Sequence, residues 1–347
     1  LTINGKLDRK ALPNPEFRDD SAKYVAPRDE LDKSLVSIFA NLLGSNESEL
    51  SITADFFRLC GDSIRSIQLV SRIRQKLGFN VSVKDIFAYK NIEALVDKVI
   101  RPQALSGLRL AILHEDGVLT GDVPLLPIQK WFFNNIVNNM LGSPWHWNQS
   151  FMLYVPEQLD MDILSLAINK LLEYHDGFRL NYQMHANQEY TQFYLDTGYL
   201  TKFKINHLDI SNSTLTPQKL NNTLTSWQSL FNPDENYLFQ IGVVDGYSDK
   251  SSRIYFALHH LLIDVVSWRI ICHDLELIYT HLCSITPEQA KATDVAEILG
   301  TKGTSYRQWV NLINNYANSE DHKQVEIERA YWNSQLNGLS ASQLALE

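Results

Sequence analysis

His259 and His260 stand side by side, and Asp264 follows four residues after the second. Imidazole is the side chain best suited to take or give a proton near neutral pH. The stretch before the pair, Arg253 to Leu258, is a short, mostly apolar segment and reads as a strand. Val266 to Leu282 carries a helical apolar period. The histidines therefore fall where a strand gives way to a loop, a common place for catalytic groups on a rigid scaffold. A structural pair at a strand end is the alternative. A metal site is a third reading, but neighbours on a continuing strand would point to opposite sides, and no third soft ligand is spaced nearby.

Two further constellations could do chemistry. Asp55-Phe56-Phe57 and Cys60-Gly61-Asp62-Ser63 precede an amphipathic stretch. A serine there sits at a helix N-terminus, where backbone N–H groups and the dipole suit a phosphodiester. A plain helix cap is the bland alternative. At the start of the chain, Asn4-Gly5-Lys6-Leu7-Asp8-Arg9 presents Lys6 on a turn, a mobile point charge able to meet a carboxylate or phosphate.

The elements that must position these groups fall into successive units. Residues 15–28 carry breakers and polar residues without apolar period and read as a linker. From Asp29 a helix is predicted with Leu31, Leu35, Ile38, Phe39 and Leu42 on one face, stopped at Gly44. After Ser63 a second helix is predicted, with Ile64, Ile67, Val70, Ile73 and Leu77 inward. A turn at Val83–Phe87 and a helix over Ile92–Ile100 complete a small bundle. Residues 102–121 read as a second linker. Beyond it, strands are predicted at 150–155, 179–182, 190–195, 237–244 and 254–258, and helices at 163–172, around 220–230, from 266, at 306–316 and at 325–336, a mixture that predicts an α/β sandwich.

Across its 347 residues the chain is 44% hydrophobic and 11% aromatic, enough for packed cores, and the length predicts two or three units. A net charge of −9 without a Lys/Arg-dense run argues against a nucleic-acid partner. Cys60, Cys272 and Cys283 are too few and scattered for a disulfide framework, which fits a reducing cytoplasm. No apolar run reaches spanning length and no signal peptide is evident, so no membrane partner is expected. A start at Leu1, inside a motif, reads as a segment of something longer.

The run from His259 to Trp268 resembles the HHxxxDxxSW signature of epimerization domains in nonribosomal peptide synthetases. Related condensation domains carry HHxxxDG; here Val265 replaces that glycine, while Ser267-Trp268 matches the epimerization form. Leu125 to Phe133 is similar to the PIQxWF element, Trp147 to Ser150 to the NQS segment, and His175 to Leu180 to the HDxLR element. Residues 29–101 resemble a peptidyl carrier domain, whose signature is DxFFxxGGxS, with Cys60 at the first glycine. Asn4 to Arg9 is similar to the closing NGKxDR motif of adenylation domains.

The resemblance implies a multidomain chain. An adenylation tail at residues 1–14 is followed by an all-α four-helix carrier bundle. Residues 122–347 form the N-terminal lobe of a chloramphenicol-acetyltransferase-like α/β sandwich, incomplete at the C-terminus. It implies 4'-phosphopantetheine bound covalently to Ser63 by a phosphopantetheinyl transferase, with Lys6 as the adenylation lysine lacking its site. It further implies an aminoacyl or peptidyl thioester substrate, an upstream adenylation domain and a downstream condensation domain. His260 would move the α-proton, His259 would pack or orient it, and Asp264 would fix the loop through a salt bridge, with Arg179 as the expected partner. A glutamate in an EGHGRE-like motif of a second lobe would be the other proton-transfer group; no such motif occurs before Glu347. Two alternatives stay open: a condensation domain forming the amide bond, or a carrier and docking module without activity of its own. Trp131 and Trp268 could pack in the core or line the substrate tunnel.

Overall fold

The structure is a computed structural model that describes residues 24–106, 115, 117–137, 144–186, 189–211, 216–229, 231, 237–318 and 322–337. It divides into two compact units, residues 1–113 and 114–347. The adenylation-like motif and Lys6 lie outside the described residues.

In the first unit the helices are α1 (Glu30–Leu43), α2 (Ser63–Leu77), α3 (Val83–Tyr89) and α4 (Ile92–Leu95). The last continues through a π-helical stretch at Val96–Ile100 into α5 (Arg101–Ser106). Asp29 caps α1 by accepting the Asp32 N–H, and Gly44 ends it in the left-handed conformation. Leu35, Ile38, Phe39, Ile52, Phe56, Leu69, Ile73, Ile86 and Leu95 form the buried core. Four findings differ from the sequence reading. Val70 and Ile73 of α2 are buried as expected, but Ile67 is exposed and Ser66 and Leu69 complete the inward stripe. Val83–Tyr89 is a helix, not a turn, closed by a reciprocal capping box between Ser82 and Asp85. Arg101–Ser106, at the start of the second expected linker, is helical. Arg28, within the first, reaches the buried Asp32 at 2.7 Å and Asp97 at 2.9 Å, tying the chain entry to both α1 and the α4 extension.

The second unit contains two sheets among the described residues. The smaller is antiparallel, ordered β1 (Gly121–Val123), β4 (Tyr190–Tyr194), β3 (Leu180–Met184). The larger is ordered β2 (Asn148–Val155), β7 (Ser252–His259), β6 (Phe239–Asp245), β5 (Asn206–Asp209); only the β5–β6 pairing is parallel. The helices are α6 (Pro127–Trp131), α7 (Met161–Tyr174), α8 (Pro217–Gln228), α9 (Val265–Cys283), α10 (Pro287–Ala292), α11 (Val295–Leu299), α12 (Tyr306–Ala317) and α13 (His322–Leu336).

The pleat of β7 sorts its residues. Ile254, Phe256 and Leu258 join a core with Leu164, Ile168 and Leu171 of α7 and Ile271, Leu275 and Ile278 of α9. Tyr255 and Ala257 face the other way, into a cluster with Trp227 of α8, Phe132 and Phe133. Helices thus cover both faces of the sheet, the α/β sandwich expected. Trp227 lies so close to β6 that a Cβ added at Gly242 would sit 2.2 Å from its ring. Gly242→Ala is expected to destabilise this unit by about 1–3 kcal/mol, since the indole cannot retreat without unpacking. Hydrogen exchange would show it as faster exchange of β6 and β7 amides, with α1 and α2 unchanged.

Candidate active site and carrier serine

His259 is the last residue of β7 and is fully buried. It pairs with Asn148 of β2, and its N–H donates to Leu238 O at 2.8 Å. Its ring lies among aromatics, with centroids 5.5 Å from Phe132, 5.7 Å from Trp145 and 6.4 Å from Phe231. His260 comes after the strand has ended and is exposed. Its N–H donates to Trp147 O at 2.9 Å, closing the sheet edge. The pair is therefore split by the strand end, one ring walled in and the other presented to a cleft of about 570 Å³. Trp131, Phe132, Trp147, Ser267 and Tyr306 contribute to the cleft wall.

The His260 ring is held at both nitrogens. Nδ1 lies 2.8 Å from Ile263 O, and Nε2 lies 3.2 Å from Gln149 Nε2. The same Gln149 amide receives the Trp268 indole N–H at its Oε1, 2.7 Å away. Trp268 packs edge-on against Phe151 with centroids 4.1 Å apart, so it belongs to the core, whereas Trp131 is half-exposed on the cleft wall.

Asp264 caps α9. Its Oδ1 accepts both the Ser267 N–H and the Ser267 hydroxyl, each at 2.7 Å. Partial burial pushes this carboxyl up, but the Ser267 hydrogen bonds outweigh it and hold it below the usual carboxylate range. The expected Asp264–Arg179 salt bridge does not form. Arg179 is buried and bonds to Asp176 and to the carbonyls of Leu119, Glu173 and Leu195. Lys302 joins the same Asp176 at 3.0 Å. The HDxLR-like element is thus a structural knot under the small sheet, and Asp264 orders its loop by capping.

Gln129, in the PIQxWF-like element, has a placement the sequence did not signal. It is buried, accepts the Leu126 N–H at 2.9 Å and donates to Tyr182 OH at 3.0 Å. Burial pushes the Tyr182 phenol well up, so it stays neutral, 3.5 Å from the carbonyl of Leu261 beside the histidines. His207 on β5 meets Asp245 of β6 at 2.9 Å.

In the first unit Ser63 is the exposed first residue of α2, one turn from the exposed Ile67. Asp62 caps the helix, with Oδ1 accepting the Ile64 and Arg65 N–H groups at 2.9 and 2.8 Å. The Ile64 and Arg65 N–H groups, two of those a phosphodiester could meet, are therefore already taken. The positive end of the helix dipole and the open hydroxyl remain. Gly61 is demanded by contact, because a Cβ there would lie 2.4 Å from the Phe56 ring and carbonyl. Cys60 adopts φ 68°, the left-handed conformation that a glycine would take without strain.

A helical bundle with an open serine at a capped helix start, and an α/β lobe with a strand-end histidine over a cleft, define a carrier unit and a chloramphenicol-acetyltransferase-like lobe. The comparisons agree: the condensation-domain profile matches residues 120–347, and that of the phosphopantetheine attachment site matches residues 33–99. The chain belongs to the condensation-domain family, preceded by a carrier domain that takes 4'-phosphopantetheine, as in nonribosomal peptide synthetases.

N-(5-amino-5-carboxypentanoyl)-L-cysteinyl-D-valine synthase of Penicillium rubens is 34% identical over all of this chain, which spans 8% of that protein. The synthase of the same name from Amycolatopsis lactamdurans is 33% identical over 99% of the chain and 8% of its own length. Gramicidin S synthase 1 of Brevibacillus brevis is 32% identical over 96% of the chain and 28% of its own length. The chain thus spans a small part of these relatives. Among solved structures, the epimerization domain from the third module of tyrocidine synthetase B shares the fold. Its TM-score is 0.54 at 24% identity, covering 66% of this chain and 47% of that one. No helix among the described residues is long and apolar enough to cross a membrane.

Two outcomes follow from the caps and turns. Asp264→Ala is expected to cost about 0.5–2 kcal/mol. Because the folded carboxyl is held below its unfolded value, the cap's contribution is full above about pH 4 and fades as pH falls through the folded value. Asp264→Asn should keep the cap and lose that acid dependence, read in denaturation midpoints from pH 7 to 2. Cys60→Gly should stabilise the carrier unit by about 1 kcal/mol, the left-handed penalty less the extra chain entropy that glycine loses. Slower exchange of α2 amides would report it.

Proposed function

We propose that this chain carries an aminoacyl or peptidyl thioester on a 4'-phosphopantetheine arm at Ser63 and that the lobe after it epimerizes the α-carbon. The carrier domain occupies residues 29–101 in this reading and the catalytic lobe begins at 122. A thioester acidifies the α-proton. His260 takes that proton at Nε2, the C–H electron pair passes into an enolate, and a proton returns from the opposite face. The family resemblance assigns that return to a glutamate of a second lobe. His259 buttresses the loop from its aromatic cage, and Asp264 fixes the loop by capping α9.

One observation carries the choice of epimerization over amide-bond formation. Ser267 and Trp268, the residues that mark the epimerization form of the signature, both act on this site. Ser267 locks Asp264, and Trp268 reaches His260 through Gln149. A relative named for a D-valine-containing product fits the same reading. An upstream adenylation domain, a downstream condensation domain and a phosphopantetheinyl transferase are the partners that follow.

The test uses the full parent synthetase loaded with an L-aminoacyl group. In deuterated water the α-position should exchange and D-product appear. His260→Ala should lower the exchange rate at least about 100-fold, the scale of a lost general base. Ser63→Ala should leave the carrier unloaded. Amide formation with a supplied acceptor, without exchange, would replace this reading with condensation.

A further inference from the structure

The neighbours of His259 and His260 leave little freedom in where each ring keeps its proton. A backbone carbonyl only accepts, so the 2.8 Å contact with Ile263 O requires a proton on His260 Nδ1. At the other nitrogen the partner is an amide, whose two ends are assigned by their own bonds. The Trp268 indole N–H only donates, and at 2.7 Å it fixes Gln149 Oε1 on its own side. The Gln149 NH₂ therefore faces His260, and Nε2 at 3.2 Å must be the lone pair that receives it. His259 is set the other way round: its Nδ1 accepts the Leu261 N–H at 3.1 Å, which leaves its proton on Nε2.

We infer that the two histidines are held as opposite neutral tautomers, with Trp268 acting through Gln149 as the positioning residue that keeps His260 Nε2 bare. The reach of this arrangement is chemical. In the resting site the Gln149 amide keeps a place at the base's lone pair until substrate takes it. A proton captured at Nε2 then faces an N–H donor instead of an acceptor, so the network favours passing that proton on over storing it. Glutamine is required here because its amide both accepts from the indole and donates to the imidazole. A glutamate at 149 can only accept. The consequence for proton transfer rests on the epimerization reading; the tautomers do not.

Nitrogen-15 spectra of the full chain with labelled histidine test the inference directly. At neutral pH His260 should show a pyrrole-like Nδ1 and a pyridine-like Nε2, and His259 the reverse. Gln149→Glu offers a carboxylate to Nε2–H, so both His260 nitrogens should move to the protonated range. In Trp268→Phe the amide is free to turn its oxygen toward Nε2–H, so the His260 Nε2 signal should shift toward the protonated range while Nδ1, held by Ile263 O, stays pyrrole-like. The buried His259 pattern serves in each variant as the check that the lobe is folded. A proton on His260 Nε2 in the parent, or a His260 pattern unmoved by both substitutions while His259 is intact, overturns the inference. Absence of α-exchange in the loaded synthetase would sink the functional reading and leave these spectra as they are.

Discussion

The site depends on the register of one strand. β7 is hydrogen-bonded on both sides, and its pleat sends Ile254, Phe256 and Leu258 to the α7–α9 core and Tyr255, Ala257 and His259 to the Trp227 side. Each fully buried aliphatic or aromatic side chain is worth about 1.5–3 kcal/mol. A slip by one residue would drive an imidazole into the aliphatic core and force Ile254, Phe256 and Leu258 into the Trp227 cluster, which is packed around other side chains. That cost anchors the strand, and the strand's end then separates the two histidines. Pairing stops at His259, so the next residue is free to leave the sheet and look into the cleft.

Much of this is legible in the sequence because periodicity is a local property. The strands near 150–155, 180–182, 190–195, 237–244 and 254–258 lie close to where the apolar pattern places them. The helices at 163–172, 266–282 and 306–316 follow the apolar period. What fails is relational. An inward face drawn through Ile64 and Ile67 is rotated from the true one, where Ser66 and Leu69 join Val70 and Ile73, and only the packed neighbours decide that rotation. Val83–Tyr89 is short for a helix, but the Ser82–Asp85 capping box satisfies the end groups that make short helices costly.

The chemistry is legible by residue type and not by partner. His259, His260, Asp264 and Ser63 all sit at element ends where side chains can act. The partners come from far along the chain: Gln149 is 111 residues from His260, and Trp268 is 119 from Gln149. A salt bridge is the natural expectation for a loop aspartate, yet capping the helix that begins at Val265 satisfies Asp264 without a cation. Arg179 is likewise drawn inward, where carbonyls and Asp176 answer its five donors.

The turn before Ser63 places unlike demands on adjacent positions. At residue 60 the demand is angular: the backbone must take a left-handed dihedral, and nothing is asked of the side chain's volume. At residue 61 it is volumetric, because Phe56 fills the space where any side chain would begin. The first position can therefore drift among residues that accept a positive φ at modest cost, such as asparagine or aspartate. The second admits no substitution without evicting a core aromatic ring. A doublet that reads as one motif is thus two independent constraints, and a cysteine in the first place leaves the second untouched.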